Sequence, residues 1–177
     1  MALGCGALEV KAQAGGFYVS GYASVFGLPD QSRDVVAPGA FAKSLAQRRA
    51  GGIRMLFQHD PGQPIGTWDV VREDARGLWV EGRLAQGSAR AAEIAALMSA
   101  GAVDGLSIGF RTLKARRDAA SGTRRLIEVD LWEVSIVTFP MQPLARARLS
   151  AVPIGKAARG ASPLAHEMRE AARRLRA

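Results

Sequence analysis

Cysteine is nearly absent: Cys5 is the single one among 177 residues. No internal disulfide and no cysteine-based metal site can form, so a cytosolic or intravirion setting is expected rather than a secreted one. Histidine is almost as scarce, represented only by His59 and His166. With so few ligands and no clustered carboxylates, no transition metal is expected. No glycine loop of the phosphate-binding pattern occurs either, and no cofactor is expected. No apolar run approaches the roughly 20 residues a transmembrane helix needs. The opening MALGCGALEV lacks the basic and apolar regions of a signal peptide. The expectation is a soluble chain, neither exported nor membrane-bound.

Aromatic residues are few, at 6%, and this bears on how the charge is read. The net charge is +8, and arginine far outnumbers lysine, which points toward nucleic acid. Yet the basic residues are scattered, with few aromatics among them to stack bases. An excess of arginine, alanine and glycine is also what a GC-rich genome gives any chain. Nucleic acid is therefore not expected as the main partner. A nucleic-acid-binding barrel stays as a rival that a steep salt dependence would reveal.

The chain is long enough for one domain with a real core, and 48% hydrophobic against 23% charged residues is ordinary for one. Residues 7–26 read as two strands joined at Gly15-Gly16, and residues 27–37 as a polar loop. A helix is predicted from Pro38, with Phe41 and Leu45 one turn apart and Gly51-Gly52 ending it. Residues 53–58 return to strand and His59-Asp60-Pro61-Gly62 stops it. Trp68 to Arg72 and Leu78 to Leu84 form a second hairpin. Ser88 caps a helix over ARAAEIAALMSA, closed by Gly101. Long strand runs follow at Gly105 to Leu113 and Arg124 to Phe139. Such a pattern predicts a mainly β fold with flanking helices, a closed or nearly closed β-barrel. Residues 1–150 form that domain. Residues 151–177 are a basic appendage, partly helical, with arginines in its last turns.

Three segments carry chemistry. LFQHD holds His59 at a strand end, DGLSIGF holds Ser107, and LWEVSIVTFP holds Glu133. A serine hydroxyl is a poor nucleophile until an imidazole takes its proton, and an acid fixes the tautomer of that imidazole. Since His166 lies in the basic tail, His59 is the candidate base. Period-2 alternation puts Gly105, Ser107 and Gly109 on one strand face, nearly bare. Another backbone can approach closely there, so Gly105 and Gly109 are candidate contacts for an extended peptide. Glu133 shares its face with Leu131, Ser135 and Val137, odd company for a solvated carboxylate. Asp60 and Asp104 are rival acids. Each residue also has an ordinary reading: a histidine capping a strand, a serine between bulge glycines, an exposed strand glutamate. Residue chemistry alone reaches a β-rich domain with the parts of a serine hydrolase.

The combination resembles the prohead maturation proteases of tailed bacteriophages and gene-transfer agents, over about residues 8–150. The resemblance runs through Gly21-Tyr22-Ala23, DVVAPGAF (Asp34 to Phe41), Gln58-His59-Asp60 and Ile65-Gly66. It continues through Gly77-Leu78, Val80-Glu81-Gly82, Gly105 to Phe110 and Glu133-Val134-Ser135, ending at Thr138 to Pro140. Single pieces are weak; their order and spacing together are specific. The resemblance implies a fold like that of the herpesvirus maturation proteases, with Ser107 as nucleophile, His59 as general base and Glu133 as the orienting acid. It implies as substrate a scaffold or the scaffolding segment of the major capsid protein, cut inside assembling proheads in the host cytoplasm, with self-cleavage also typical; whether the chain forms a homo-oligomer is left open by the sequence. Arg146 and Arg148 are the loosely matched candidates for an oxyanion hole, with backbone N–H groups as the alternative. The main rival is a catalytically silent barrel that binds capsid or scaffold protein.

Overall fold

Alternation of apolar and polar residues builds most of this molecule. The computed structural model describes residues 16–151, in the order β1 (Phe17–Val25), β2 (Asp34–Val36), α1 (Ala42–Arg48), β3 (Arg54–Phe57), β4 (Asp60–Glu73), β5 (Gly77–Leu84), α2 (Ala89–Ser99), β6 (Gly105–Arg117), β7 (Arg124–Val137) and β8 (Ala147–Ala151). The strands form one sheet in the order β2-β7-β3-β4-β5-β1-β8, with β6 on the other edge of β7. Most pairs are antiparallel, but β2 and β3 run parallel to β7.

The fold is mainly β with two helices, as expected, but the sheet is a strongly curled half-barrel rather than a closed barrel. Its two ends meet at one isolated bridge, Gly105 with Arg146, and not along a ladder. Inside the curl lie Met55, Ile65, Leu78, Val80, Leu106, Leu131, Val134 and Ile136, all essentially inaccessible. Each such side chain contributes on the order of 1.5–3 kcal/mol by leaving water. Helix α2 packs Ala91, Ile94, Ala95 and Met98 inward. Its Ser88 cap accepts a hydrogen bond from Ala91 N, as the sequence predicts. Helix α1 is anchored from β7, where Leu131 N donates to Ser44 Oγ at 2.8 Å.

Several expectations change. The first strand of the proposed 7–26 hairpin and the tail from 152 onward lie outside the described residues. The loop of 27–37 contains β2, because Asp34 is buried and accepts a two-pronged hydrogen bond from Arg124 of β7, with Nε at 2.7 Å. An ion pair across 90 residues is invisible to local pattern. Asp34→Ala is expected to lower the unfolding free energy by about 1–3 kcal/mol, because it removes a two-pronged hydrogen bond between charged groups; a reduced urea midpoint at unchanged slope checks this. Helix α1 begins at Ala42, four residues after Pro38, and ends before the two glycines, with a single 3₁₀ turn over Ala50–Gly52. Strand β4 begins at Asp60, well before Trp68. Its first half contains two prolines, and its pairing to β3 is interrupted twice, so it carries no clean alternation.

Candidate active site

His59 occupies a two-residue turn between β3 and β4, where Phe57 pairs with Asp60. Both central residues, Gln58 and His59, have positive φ, 54° and 61°. That is the signature of a type I′ hairpin, normally filled by asparagine or glycine because side chains resist the left-handed region. Such strain persists only where surroundings over-determine it. Four hydrogen bonds do so here. Gln58 N donates to Ile136 O at 3.0 Å. The Gln58 carboxamide donates to Thr138 Oγ1 at 2.6 Å and accepts from Thr138 N. His59 N donates to Ser135 Oγ at 3.1 Å.

The parallel pairing of β3 with β7 sets Leu56 beside Ser135 and Phe57 beside Ile136, so the turn ends next to the Glu133 segment. His59 Nδ1 lies 2.6 Å from Glu133 Oε1. A carboxylate only accepts, so the tautomer this contact favours in a neutral ring has its hydrogen on Nδ1 and a lone pair on Nε2. The glutamate side chain is 11% exposed and the imidazole 42%. The acid is therefore enclosed while the ring remains accessible to solvent. The other carboxylate oxygen, Oε2, accepts from Ser135 Oγ at 2.6 Å.

On the opposite edge of β7, β6 places Ser107 against Ser135 and Gly109 against Glu133. The structure thus brings together Ser107 on β6, Glu133 on β7 and His59 in the turn that follows β3. Ser107, largely buried, also borders a small open cleft lined by Val36, Phe110, Leu126, Met141, Asp30 and Asp34. Burial pushes the Asp30 carboxyl above its ordinary range, opposed in part by the N–H of Asp34.

The rival acids are elsewhere engaged. Asp60 accepts from Gly62 N and Gln63 Nε2. Asp104 binds Arg146 at 2.9 Å. This contact uses Arg146 Nη1, and both side chains stay exposed. Arg146 forms the isolated bridge to Gly105, and Arg148, in β8, pairs with Ser20 of β1.

Two readings of faces are corrected. The room beside Gly105 and Gly109 is not left for an incoming peptide. A Cβ on Gly109 would lie 2.0 Å from Glu133 Oε1, and one on Gly105 2.8 Å from the Pro140 ring. The chain's own acid fills the space at Gly109, and the Val137 carbonyl and Pro140 fill it at Gly105. Leu131 does not share the face of Glu133, because Gly109 pairs with Glu133 but Phe110 with Leu131, leaving Trp132 as a bulge. One extra residue flips the alternation. Gln58 and Thr138 received no role from sequence, since only the tertiary pairing shows the clamp they form. Ser135 had a legible signal: it lies two residues from Glu133 on a strand and so on its face.

Gly109→Ala is expected to slow turnover by about 10²-fold or more, by expelling the carboxylate from its place against His59. Gly109 has an ordinary negative φ, so the backbone itself accepts alanine. Measured turnover alongside an unchanged melting profile separates displaced acid from a disrupted strand.

Among the described residues no group of three or more histidine, cysteine or acidic side chains could hold a metal. No helix among them is long and apolar enough to cross a membrane.

Residues 6–158 match the model of the caudovirus prohead serine protease family. The chain belongs to that family. It is 38% identical over 122 residues to the prohead protease of Enterobacteria phage HK97, covering 68% of this chain and 54% of that protein. It is 30% identical over 135 residues to the prohead protease of Escherichia phage T5, covering 75% and 62%. The chain therefore spans little more than half the length of these family members. The solved capsid assembly protease of bacteriophage T4 superposes with a TM-score of 0.59 at 16% identity, over 71% of this chain and 84% of that one. A Kaposi's sarcoma-associated herpesvirus protease superposes with a TM-score of 0.51 at 14% identity, over 89% and 77%. At such identities these two structures speak for the fold of the family alone.

Proposed function

We propose that the chain is a serine endopeptidase of prohead maturation, with Ser107 as nucleophile, His59 as general base and then acid, and Glu133 as the orienting group. The observation that carries this reading is the 2.6 Å contact of His59 with an enclosed Glu133, made on the strand that also pairs with the strand of Ser107. Ser107 Oγ attacks the scissile carbonyl while its proton passes to His59 Nε2. Glu133 stabilises the imidazolium through Nδ1–H. The same proton then goes to the leaving amine, and water repeats the sequence on the acyl-enzyme. The developing oxyanion is met by backbone N–H groups or by Arg146 or Arg148, the charged candidates of the sequence. The substrate is a scaffold protein or the scaffolding segment of the major capsid protein, cut inside assembling proheads in the host cytoplasm. Family membership supports that partner, and self-cleavage accompanies it.

Co-expression with the capsid gene of the same genome tests the reading. Shortened capsid protein is the expected result, and full-length capsid protein in folded proheads would refute it. A catalytically silent docking module would bind the capsid protein yet leave it whole.

A further inference from the structure

We infer that Ser135 is a positioning residue of this site, the brace that holds imidazole and carboxylate in one geometry; the inference rests on the roles just proposed for Ser107, His59 and Glu133. Ser135 is wholly buried, and its single hydroxyl serves both partners at once. It donates to Glu133 Oε2 at 2.6 Å and accepts from the main-chain N–H of His59 at 3.1 Å. A hydroxyl has one hydrogen and two lone pairs, so both bonds form together without competition.

The consequence is chemical. With Oε2 held by Ser135, the carboxylate has one rotational setting, and Oε1 is left facing Nδ1. With the His59 N–H also held, the strained turn cannot relax to a negative φ and swing the ring away. Acid and base are 74 residues apart in sequence, yet one atom of β7 fixes the position of each relative to the other. The Gln58–Thr138 clamp supports the same turn from its other side but touches neither reacting ring nor carboxylate.

An alkyl fluorophosphonate tests this without knowledge of the cleavage sequence. Ser107 Oγ forms a bond to phosphorus, fluoride leaves, and the hydroxyl proton passes to His59 Nε2, so the maximal labelling rate reports activation of the serine. Ser135→Ala is expected to lower that rate by about 10²-fold while the half-saturating probe concentration stays unchanged. Ser135→Thr, which keeps the hydroxyl, is expected to restore most of it. The low-field proton resonance of the short His59–Glu133 bond should be present in the wild-type and Ser135→Thr proteins and lost or shifted in Ser135→Ala. Melting curves accompany each variant, and the proton spectrum is read on the folded fraction if Ser135→Thr is destabilised by its extra methyl group. A folded Ser135→Ala protein that labels within about threefold of wild type, with the resonance in place, would overturn the inference. Ser107→Ala is the separating control: if it still labels, the proposed nucleophile itself is wrong, whereas an unlabelled Ser107→Ala protein beside a fast Ser135→Ala protein sinks the brace alone.

Discussion

Ser107→Ala is expected to abolish capsid processing while leaving a folded protein. Removing the nucleophile of a triad costs on the order of 10⁶ in turnover, because the remaining groups cannot act without it. The structural cost should be small. Alanine keeps the Cβ, and Ser107 is held in β6 by its backbone pairing with Ser135 rather than by shape at its tip. Full-length capsid protein beside an unchanged circular dichroism melt is the predicted outcome. Truncated capsid protein from the Ser107→Ala chain would remove Ser107 from the mechanism.

Glu133→Gln is expected to have the next largest effect, a rate loss of up to about 10⁴. The amide can still reach His59, but it offers an N–H as readily as an oxygen and no longer opposes the imidazolium charge. The wrong tautomer then points a hydrogen at the serine. Asp104→Asn and Asp60→Asn should stay near wild-type rates, since Asp104 is bound to Arg146 and Asp60 to its own turn. The ranking of the three under identical single-turnover conditions is the measurement. A larger loss from Asp104→Asn than from Glu133→Gln would return Glu133 to an ordinary strand residue.

How much of this was legible in the sequence depends on the range of each interaction. Strand periods, the Ser88 cap and the scarcity of histidine are local or global properties, and they located β5, α2, β6 and β7 and singled out His59. Glu133 stood out because its strand neighbours are apolar. The parallel seam of β3 with β7 left no local trace, so the proximity of His59 to Glu133 could be inferred only through family resemblance. The turn at Gln58-His59 was also hidden, because neither residue type announces a left-handed backbone. The glycine face was read as room for a partner, since sequence shows a missing side chain but not whose atoms occupy the gap. Short β2 owes its existence to Arg124, far down the chain.

The seam between β3 and β7 has a further consequence for when the chain can cut. Nothing local keeps the imidazole beside its carboxylate, and the intervening chain includes β4, β5, α2 and β6. Pairings of such separation require loop closure before they yield any contact energy. A nascent or partly folded chain therefore holds base and acid apart and carries no competent site. Under the function proposed above, topology itself delays cutting: competence arrives only with the completed fold.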